Sequence, residues 1–363
     1  MKNSSTNWMS LKKNNFYQKY FSELALSLAR INKFITKDNP SVGCVVIDFN
    51  NNILSCGVTS KNGRPHAENN ALIKLNKKIT KKIFVTLEPC NHYGKTPPCT
   101  KTIVNFNVKQ LHCNQIDKNP AVNGSGLKFL KENKIKIKES NINKNFYSNY
   151  NYSVKNKLPY VTAKLAITKN FSTVVSGKKY FTNSQSLKFA HLLRYMNDSI
   201  LVGQKTLLKD YPKLNCRIDG LSKHSPKIFF INRNLNFSKK HLMLYPRSTV
   251  VFHSSKDSKK IFKYKKFFFL EKIEDNSGNF SPEEILKRIY KHKCRRLLIE
   301  GGSKTVNIFA KHKYINKFFF IQSAQNSKTK EPHTISMVRS LCGNNFSRYN
   351  VKINLNNNKL FKI

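Results

Sequence analysis

Three side chains that could bind a metal ion, and a carboxylate beside one of them, are the residues most able to do chemistry in this chain. His66 and Glu68 stand two residues apart, and Cys90 and Cys99 follow with eight residues between them. One histidine and two cysteines make a three-ligand zinc set that leaves the fourth tetrahedral position open for water, as a catalytic site requires. We therefore predict that His66, Cys90 and Cys99 bind a catalytic zinc ion.

Glu68 is placed to move protons at such a site. We expect it in the first turn of a helix after His66, where its carboxylate reaches the water without binding the metal. A glutamate there can take a proton from water, protonate a ring nitrogen and pass a proton to departing ammonia. Nucleobase deaminases use this pattern, His-x-Glu followed by Pro-Cys-x-x-Cys, although here the cysteine spacing is longer. The competing interpretations are a chance match and a purely structural zinc site.

We further expect Cys90 and Cys99 each to begin a helix, where unpaired backbone N–H groups favour thiolates. Close Cys and His groups in a reducing compartment are more often metal or catalytic sites than disulfides. The remaining cysteines are interpreted as core or surface residues: Cys44, Cys56, Cys113, Cys216, Cys294 and Cys342.

The chain is strongly basic, with 66 Lys and Arg against 19 Asp and Glu and a formal net charge of +47. Such a charge could bind nucleic acid. The basic residues are spread along the whole chain among many Asn, Ile and Phe, so we interpret the charge as drift toward AT-rich codons and expect no nucleic-acid partner. A positive field would still steer a phosphorylated substrate toward the protein.

No apolar run of roughly 18 residues occurs, which argues against a membrane span. The first twenty residues contain no continuous apolar segment of the kind found in secretory signals. We therefore expect a cytoplasmic protein with no membrane partner.

The first half of the chain alternates helical and strand patterns, which indicates a layered α/β domain. Residues 42–48 and 53–59 should form two antiparallel strands joined at Asn50-Asn51-Asn52. Further elements are predicted as helices over 17–32 and 66–76, and strands over 83–87 and 108–113. A polar, Asn-rich stretch at 139–157 then separates two domains, which we place at 1–150 and 158–363.

The second half repeats the alternation. Strands are predicted over 159–168, 198–203, 227–232, 249–253, 296–300 and 315–322, and helices over 184–196, 282–292 and 303–311. Alternating strands and helices favour a parallel sheet.

The stretch VTLEPCNHYGKTPPCT at 85–100 resembles the signature of the bifunctional riboflavin-biosynthesis deaminase/reductase family, including the long insert between the cysteines. Residues 39–44 and 117–120, with Gly124 and Gly126, also fit that family. The resemblance implies an α/β fold with an N-terminal cytidine-deaminase-like three-layer domain and a C-terminal dihydrofolate-reductase-like domain.

The same resemblance implies hydrolytic deamination of 2,5-diamino-6-(5-phosphoribosylamino)pyrimidin-4(3H)-one, followed by NADPH reduction of the ribosyl group to ribityl. It places Asn39 and His92 against the pyrimidine. It gives Lys164 and Gly203 as matching positions of the reductase, substrate contacts to Arg194, Leu214, Arg217 and Glu300, and cofactor contacts to Ile167, Tyr180, Thr206, Asp210, Gly302 and Ser303. We expect Zn²⁺ and NADPH as cofactors and a homo-oligomer.

The chemistry of several of these residues agrees with such roles. The guanidinium groups of Arg194 and Arg217 offer paired donors to a phosphate. Gly301-Gly302-Ser303 stands between a predicted strand and helix, where backbone N–H groups can bind a cofactor phosphate.

The second half also departs from the family pattern. Thr168-Lys169-Asn170-Phe171 replaces a Ser-Leu-Asp-Gly-type turn, Tyr180 stands where the family has tryptophan, and Asn316-Lys317 replaces an acidic pair. One alternative is therefore a deaminase with a degraded reductase domain. Two others are a nucleic-acid cytidine or adenosine deaminase, disfavoured by the cysteine spacing, and a basic nucleic-acid-binding protein with structural zinc.

Overall fold

The computed structural model describes residues 3–94, 96–177, 181–276, 279–329, 331–343 and 345–363. The chain divides into two compact units, Met1–Asn156 and Lys157–Ile363. Within the described residues, no helix combines the length and apolar character needed to cross a membrane.

The first unit is a sheet with helices packed on it. Its helices are α1 Asn3–Ile31, α2 Ala67–Leu72, α3 Cys99–Asn105, α4 Ser125–Glu132 and α5 Ser148–Asn156. Its strands are β1 Gly43–Ile47, β2 Ile53–Val58, β3 Lys81–Val85, β4 Val108–Cys113 and β5 Lys136–Glu139, in the order β2-β1-β3-β4-β5. β1 runs antiparallel to β2 and β3, and β3, β4 and β5 are parallel. The predicted hairpin is confirmed.

β1 is buried along its whole length, because its two faces pack into different apolar clusters. Val45 on one face contacts Phe21 and Ala25 of α1, and Val46 on the other shares a cluster with Ala71 of α2. α2 lies very close to β2, since a Cβ atom on Gly57 would come within 2.2 Å of the Ala67 carbonyl oxygen. This close approach sets the position of the turn that carries the predicted metal ligand and glutamate.

α2 ends at Leu72, earlier than the predicted residue 76. The chain leaves the helix to surround the buried side chain of Lys81. The Lys81 ammonium donates to the carbonyl oxygens of Asn76 at 2.6 Å, Ile79 at 2.5 Å and Phe106 at 3.0 Å. A buried ammonium needs such partners, and a continued helix would withhold the first two carbonyls.

The stretch 139–157 is not the simple polar separator that its composition suggested. It contains α5, and Phe146 and Tyr147 just before this helix are buried. The Tyr147 hydroxyl donates to the Ser41 carbonyl oxygen at 2.9 Å and lies 2.6 Å from the Thr86 hydroxyl. The aromatic residues in this Asn-rich segment therefore bind it to the deaminase-like unit.

Glu88 joins two loops of the first unit. Its side chain is buried, and its carboxylate accepts four backbone N–H groups: those of Asp117 at 3.2 Å, Gly124 at 2.9 Å, Gly126 at 2.9 Å and Leu127 at 3.3 Å. Gly126 approaches so closely that a Cβ atom there would lie 2.1 Å from the Pro89 carbonyl oxygen. The loop after β3 and the segment entering α4 are thus held together by one carboxylate.

The second unit has a long mixed sheet. Its strands are β6 Tyr160–Ile167, β7 Ser199–Gly203, β8 Lys227–Ile231, β9 Val250–His253, β10 Phe269–Lys272, β13 Arg296–Glu300, β14 Lys317–Gln322, β15 Asn350–Leu355 and β16 Asn358–Lys362. Two short strands, β11 Asp275–Asn276 and β12 Asn279–Phe280, pair separately. The order is β10-β9-β8-β7-β13-β6-β14-β16-β15. Neighbouring strands are parallel from β10 to β14, and β16 runs antiparallel to both β14 and β15.

The helices of this unit are α6 Ser184–Met196, α7 Gln204–Asp210, α8 Lys239–Leu244, α9 Ser258–Lys265, α10 Pro282–Lys291, α11 Ser303–Lys311 and α12 Pro332–Cys342. The predicted strands and helices of the second half correspond to β6 to β9, β13, β14, α6, α10 and α11. The prediction missed β10, β15 and β16, which lie at or next to the edges of the sheet. These strands are short or rich in Lys and Asn and show little apolar alternation.

The unusual turn after β6 still closes. The Thr168 N–H donates to the Ser172 carbonyl oxygen at 2.8 Å, and Phe171 takes a left-handed φ of 62°. Asn170 joins the turn to the chain after β14, donating to the Ser327 carbonyl oxygen at 2.7 Å and accepting the Ser327 N–H at 3.0 Å. The family's glycine is thus replaced by a residue that must adopt the conformation glycine prefers.

We predict that Phe171→Gly is more stable than Phe171→Ala by about 1 kcal/mol, because a Cβ atom is strained at this φ. Both variants lose the contact with the Phe346 ring, 5.5 Å away between centroids, so their difference reports the backbone alone. Calorimetric unfolding of the two variants would measure it. An alanine variant at least as stable as the glycine variant would contradict this account.

Glu88→Gln should lower the free energy of unfolding of the first unit by about 2–4 kcal/mol, because the amide would face two backbone N–H groups with a donor in place of an acceptor. Calorimetry would detect the loss as a lower unfolding temperature. Glu139→Gln is the matched control, since this glutamate is exposed and should change stability by less than about 0.5 kcal/mol. Equal effects of the two substitutions would contradict the role given to Glu88.

Candidate functional sites

Three potential metal ligands converge in the first unit. His66 Nδ1, Cys90 Sγ and Cys99 Sγ all lie within 4.8 Å of one another, and no other described His, Cys, Asp and Glu residues form such a group. The His66 nitrogen lies 3.5 Å from the Cys90 sulfur and 3.3 Å from the Cys99 sulfur. Zinc bonds of about 2.0 Å to nitrogen and 2.3 Å to sulfur at a tetrahedral angle would separate these atoms by about 3.5 Å. The donor types and spacings therefore fit zinc.

The secondary structure positions these ligands differently from one another. His66 is the residue preceding α2, and Cys99 is the first residue of α3. Cys90 lies in the loop after β3, so the prediction that it begins a helix was wrong. The contacts of the neighbouring Glu88 fix this loop, and the Cys90 sulfur accepts the Cys99 N–H at 3.5 Å. The hydrogen bond with the Cys99 thiol and the neighbouring His66 lower the pKa of Cys90.

Glu68 lies in the first turn of α2 and is buried. Its carboxyl group interacts electrostatically with His66, Cys90 and Cys99, which puts it beside the three ligand atoms. Burial raises the pKa of Glu68 to about 7, although the charged form of the neighbouring His66 favours an ionised Glu68. A carboxyl group in this position can both accept and release a proton near neutral pH.

Two further residues assigned by resemblance lie around this cluster. Asn39 donates to the Gly63 carbonyl oxygen at 3.5 Å, three residues before His66. His92 is exposed in the insert between the cysteines. Two residues of this insert bind neighbouring segments. Asn91 accepts the Thr100 hydroxyl at 2.7 Å, and the Thr96 hydroxyl accepts an N–H group of the Arg64 guanidinium at 2.6 Å.

Asp117 was not singled out as a site residue by the residue pattern, although its segment fitted the family. It is buried, and its carboxylate accepts the Asn119 N–H at 2.8 Å and the Tyr150 hydroxyl at 3.2 Å. Burial raises its pKa to about 6. The sequence pattern did not indicate a role for Asp117, because its partner Tyr150 lies in α5, in the segment whose composition suggested a separator between domains.

A second polar cluster lies at the carboxyl end of β13. Glu300 pairs in register with Lys164 of β6, whose ammonium lies 2.8 Å from Glu300 Oε1. Arg194 of α6 forms two bonds to the same carboxylate, from Nε at 2.9 Å and Nη2 at 3.0 Å. Burial alone would raise the pKa of Glu300, but Lys164 and Arg194 outweigh it and hold this pKa well below its usual range.

The segment after α7 supports this cluster. Arg194 Nη1 donates to the Asn215 carbonyl oxygen at 3.1 Å, and the Arg217 N–H donates to His191 Nδ1 at 3.3 Å. The Arg217 side chain is exposed, with Nη1 donating to Asn215 Oδ1 at 2.8 Å. Leu214 is buried and has a φ of 56°.

Some of the residues assigned to cofactor binding lie together where β7 and β13 end. Gly302 precedes α11, and its N–H donates to the Thr206 hydroxyl of α7 at 2.9 Å; Ser303 begins α11. Ile167 and Asp210 end β6 and α7, respectively. Tyr180 lies outside the described residues. β7, β13 and β6 are neighbours, and ligands of such sheets bind outside the carboxyl ends of parallel strands.

Comparison with known proteins agrees with this division. Residues 17–115 match the family model of the cytidine and deoxycytidylate deaminase zinc-binding region, and residues 159–323 match that of the RibD C-terminal domain. The match to the second model argues against a chain that lacks a reductase domain.

The riboflavin biosynthesis protein RibD of Aquifex aeolicus is 31% identical over 316 residues, which cover 82% of this chain and 85% of that protein. A diaminohydroxyphosphoribosylamino-pyrimidine deaminase of Buchnera aphidicola is 38% identical over 126 residues, 34% of this chain and 85% of that protein.

Two solved structures share the fold across nearly the whole chain. The RibD structure of Acinetobacter baumannii superposes with a TM-score of 0.81 at 21% identity, covering 96% of this chain and 99% of that one. The deaminase/reductase structure of Thermotoga maritima gives a TM-score of 0.76 at 25% identity, covering 96% and 99%. With a zinc-binding deaminase domain followed by a reductase domain, the chain belongs to the RibD family of riboflavin biosynthesis proteins.

Proposed function

We propose that this chain carries out two reactions of riboflavin biosynthesis on one phosphorylated pyrimidine. The first unit deaminates 2,5-diamino-6-(5-phosphoribosylamino)pyrimidin-4(3H)-one to the uracil form, and the second reduces its ribosyl group to ribityl with NADPH. The observation that carries the proposal is the convergence of His66, Cys90 and Cys99 beside the buried carboxyl group of Glu68. The relative from Thermotoga maritima is described as a deaminase and reductase of such compounds.

In the deaminase unit, His66, Cys90 and Cys99 would hold zinc. The bound ion would act as a Lewis acid that activates water for attack on the carbon carrying the amino group. Glu68 takes the proton that this water loses and delivers it to the ring nitrogen. It then takes the remaining proton of the added hydroxyl group and passes it to the amino group, so that ammonia leaves and a carbonyl group forms. Asn39 and His92 contact the pyrimidine and orient it, and the fixed loop of Glu88 keeps Cys90 in place.

In the reductase unit, the nicotinamide cofactor would supply hydride to the sugar carbon. The backbone N–H group of Ser303, at the start of α11, binds cofactor phosphate. The Gly302 N–H donates to the Thr206 hydroxyl, and this bond holds the turn beside the cofactor in place. Ile167, Asp210 and Tyr180 are the remaining proposed cofactor contacts.

The contacts of the two arginines divide their proposed roles. Arg194 directs donors to Glu300 and the Asn215 carbonyl oxygen, so we assign it to positioning Glu300 at the substrate. The exposed guanidinium of Arg217 suits the substrate phosphate, with Leu214 packing beneath the same segment. Lys164, paired with Glu300, places an ammonium group at this edge that can hydrogen-bond the sugar.

The comparisons support an enzyme that acts on a small molecule. We propose that nucleic acid and membranes are not its partners and that the basic charge serves at most to attract phosphorylated substrate. Action in the cytoplasm as a homo-oligomer remains a prediction from the sequence.

We predict that Glu68→Gln retains zinc and reduces ammonia release at least 100-fold, on the scale of general acid–base catalysis. Zinc would be measured by elemental analysis and ammonia by a coupled assay. Exposed Glu139→Gln serves as the matched control and should keep normal turnover. Normal turnover of the Glu68 variant would remove this residue from the mechanism, and loss of zinc would make it a support of the metal site.

We predict that the purified protein removes the amino group without NADPH and adds two hydrogens to the product only when NADPH is present. Mass spectrometry of the products would distinguish these steps. Glu300→Gln should abolish the second step and leave the first unchanged, because its carboxylate lies in the second unit. Deamination without any reduction by the unmodified protein would support the alternative of a degraded reductase domain.

A further inference from the structure

Arg64 lies beside the proposed deaminase site, and none of the roles assigned above uses its charge. It precedes His66 by two residues, and its side chain is half-buried. No carboxylate forms a salt bridge with Arg64 among the residues that the structure describes. A guanidinium group partly removed from water usually gains from an anionic partner.

The position of this guanidinium is set by two residues of the insert between the cysteines. Its Nη1 donates to the Thr96 hydroxyl at 2.6 Å, and a Cβ atom on Gly94 would lie 3.0 Å from its Nη2, so the group lies against the insert that carries His92. The residue before Arg64 lies against the other proposed pyrimidine contact, since a Cβ atom on Gly63 would lie 2.2 Å from Asn39 Nδ2. The Arg64 guanidinium is therefore held next to the segments that carry both proposed pyrimidine contacts.

We propose that Arg64 binds the phosphate group of the deaminase substrate and makes this site selective for phosphorylated pyrimidines. The inference rests on the proposed function. The hydrogen bond to Thr96 fixes one edge of the guanidinium plane, which reduces the side-chain freedom lost on binding. The remaining N–H groups form charge-assisted hydrogen bonds that a neutral nucleoside cannot match.

The test compares Arg64→Gln with the unmodified zinc-loaded protein on two substrates, the phosphorylated diaminopyrimidinone riboside and the same compound without phosphate. Glutamine can keep a hydrogen bond to Thr96 but has no charge. We expect KM for the phosphorylated substrate to rise at least tenfold and KM for the dephosphorylated one to stay within twofold. Arg64→Lys should restore part of the discrimination, and zinc content should not change.

A second variant separates charge from loop anchoring. Thr96→Val removes the contact with the insert and leaves the guanidinium charge, so it should raise KM for the phosphorylated substrate by less than Arg64→Gln does. If Arg64→Gln affects both substrates equally, Arg64 only anchors the insert and the inference is overturned. Normal deamination with an unchanged KM in Arg64→Gln would overturn it alone, whereas no deamination by the unmodified protein would overturn the proposed function as well.

Discussion

The first unit depends on a buried carboxylate whose charge is balanced by backbone hydrogen bonds. Glu88 is removed from water, a state that is costly for an ionised group unless several donors replace the lost hydration. Four N–H groups of the segment entering α4 supply that replacement. Cys90 follows two residues later, and Asp117 is one of the donors. One carboxylate therefore fixes both the loop that carries a metal ligand and the loop that carries Asp117.

The second unit uses the same principle with different partners. Glu300 ends a central parallel strand, as Glu88 follows one, but its charge is balanced by Lys164 and Arg194. Acidic residues are few in this chain, 19 against 66 basic ones. Two of these few acidic residues, Glu88 and Glu300, organise the two clusters through their carboxylates.

Sequence patterns predicted the features that depend on local spacing. The convergence of His66, Cys90 and Cys99 followed from residue type, and the central strands followed from their apolar runs. The features that sequence patterns did not predict depend on contacts between segments that are distant along the chain. Sequence patterns did not indicate the structural role of Glu88, since its partners are backbone groups about 30–40 residues later. Short basic edge strands and the Asn-rich α5 carried too little apolar periodicity to be identified.

The contacts of α5 have a practical consequence for dividing the protein. Tyr147 holds Thr86 and Ser41, and Tyr150 holds Asp117, so the last residues before the second unit complete the interior of the first. A fragment that ended where the composition turns polar would leave these buried groups without partners. A fragment meant to work as the deaminase alone should therefore include α5, and the boundary between the two units at Asn156 and Lys157 is where we would end it.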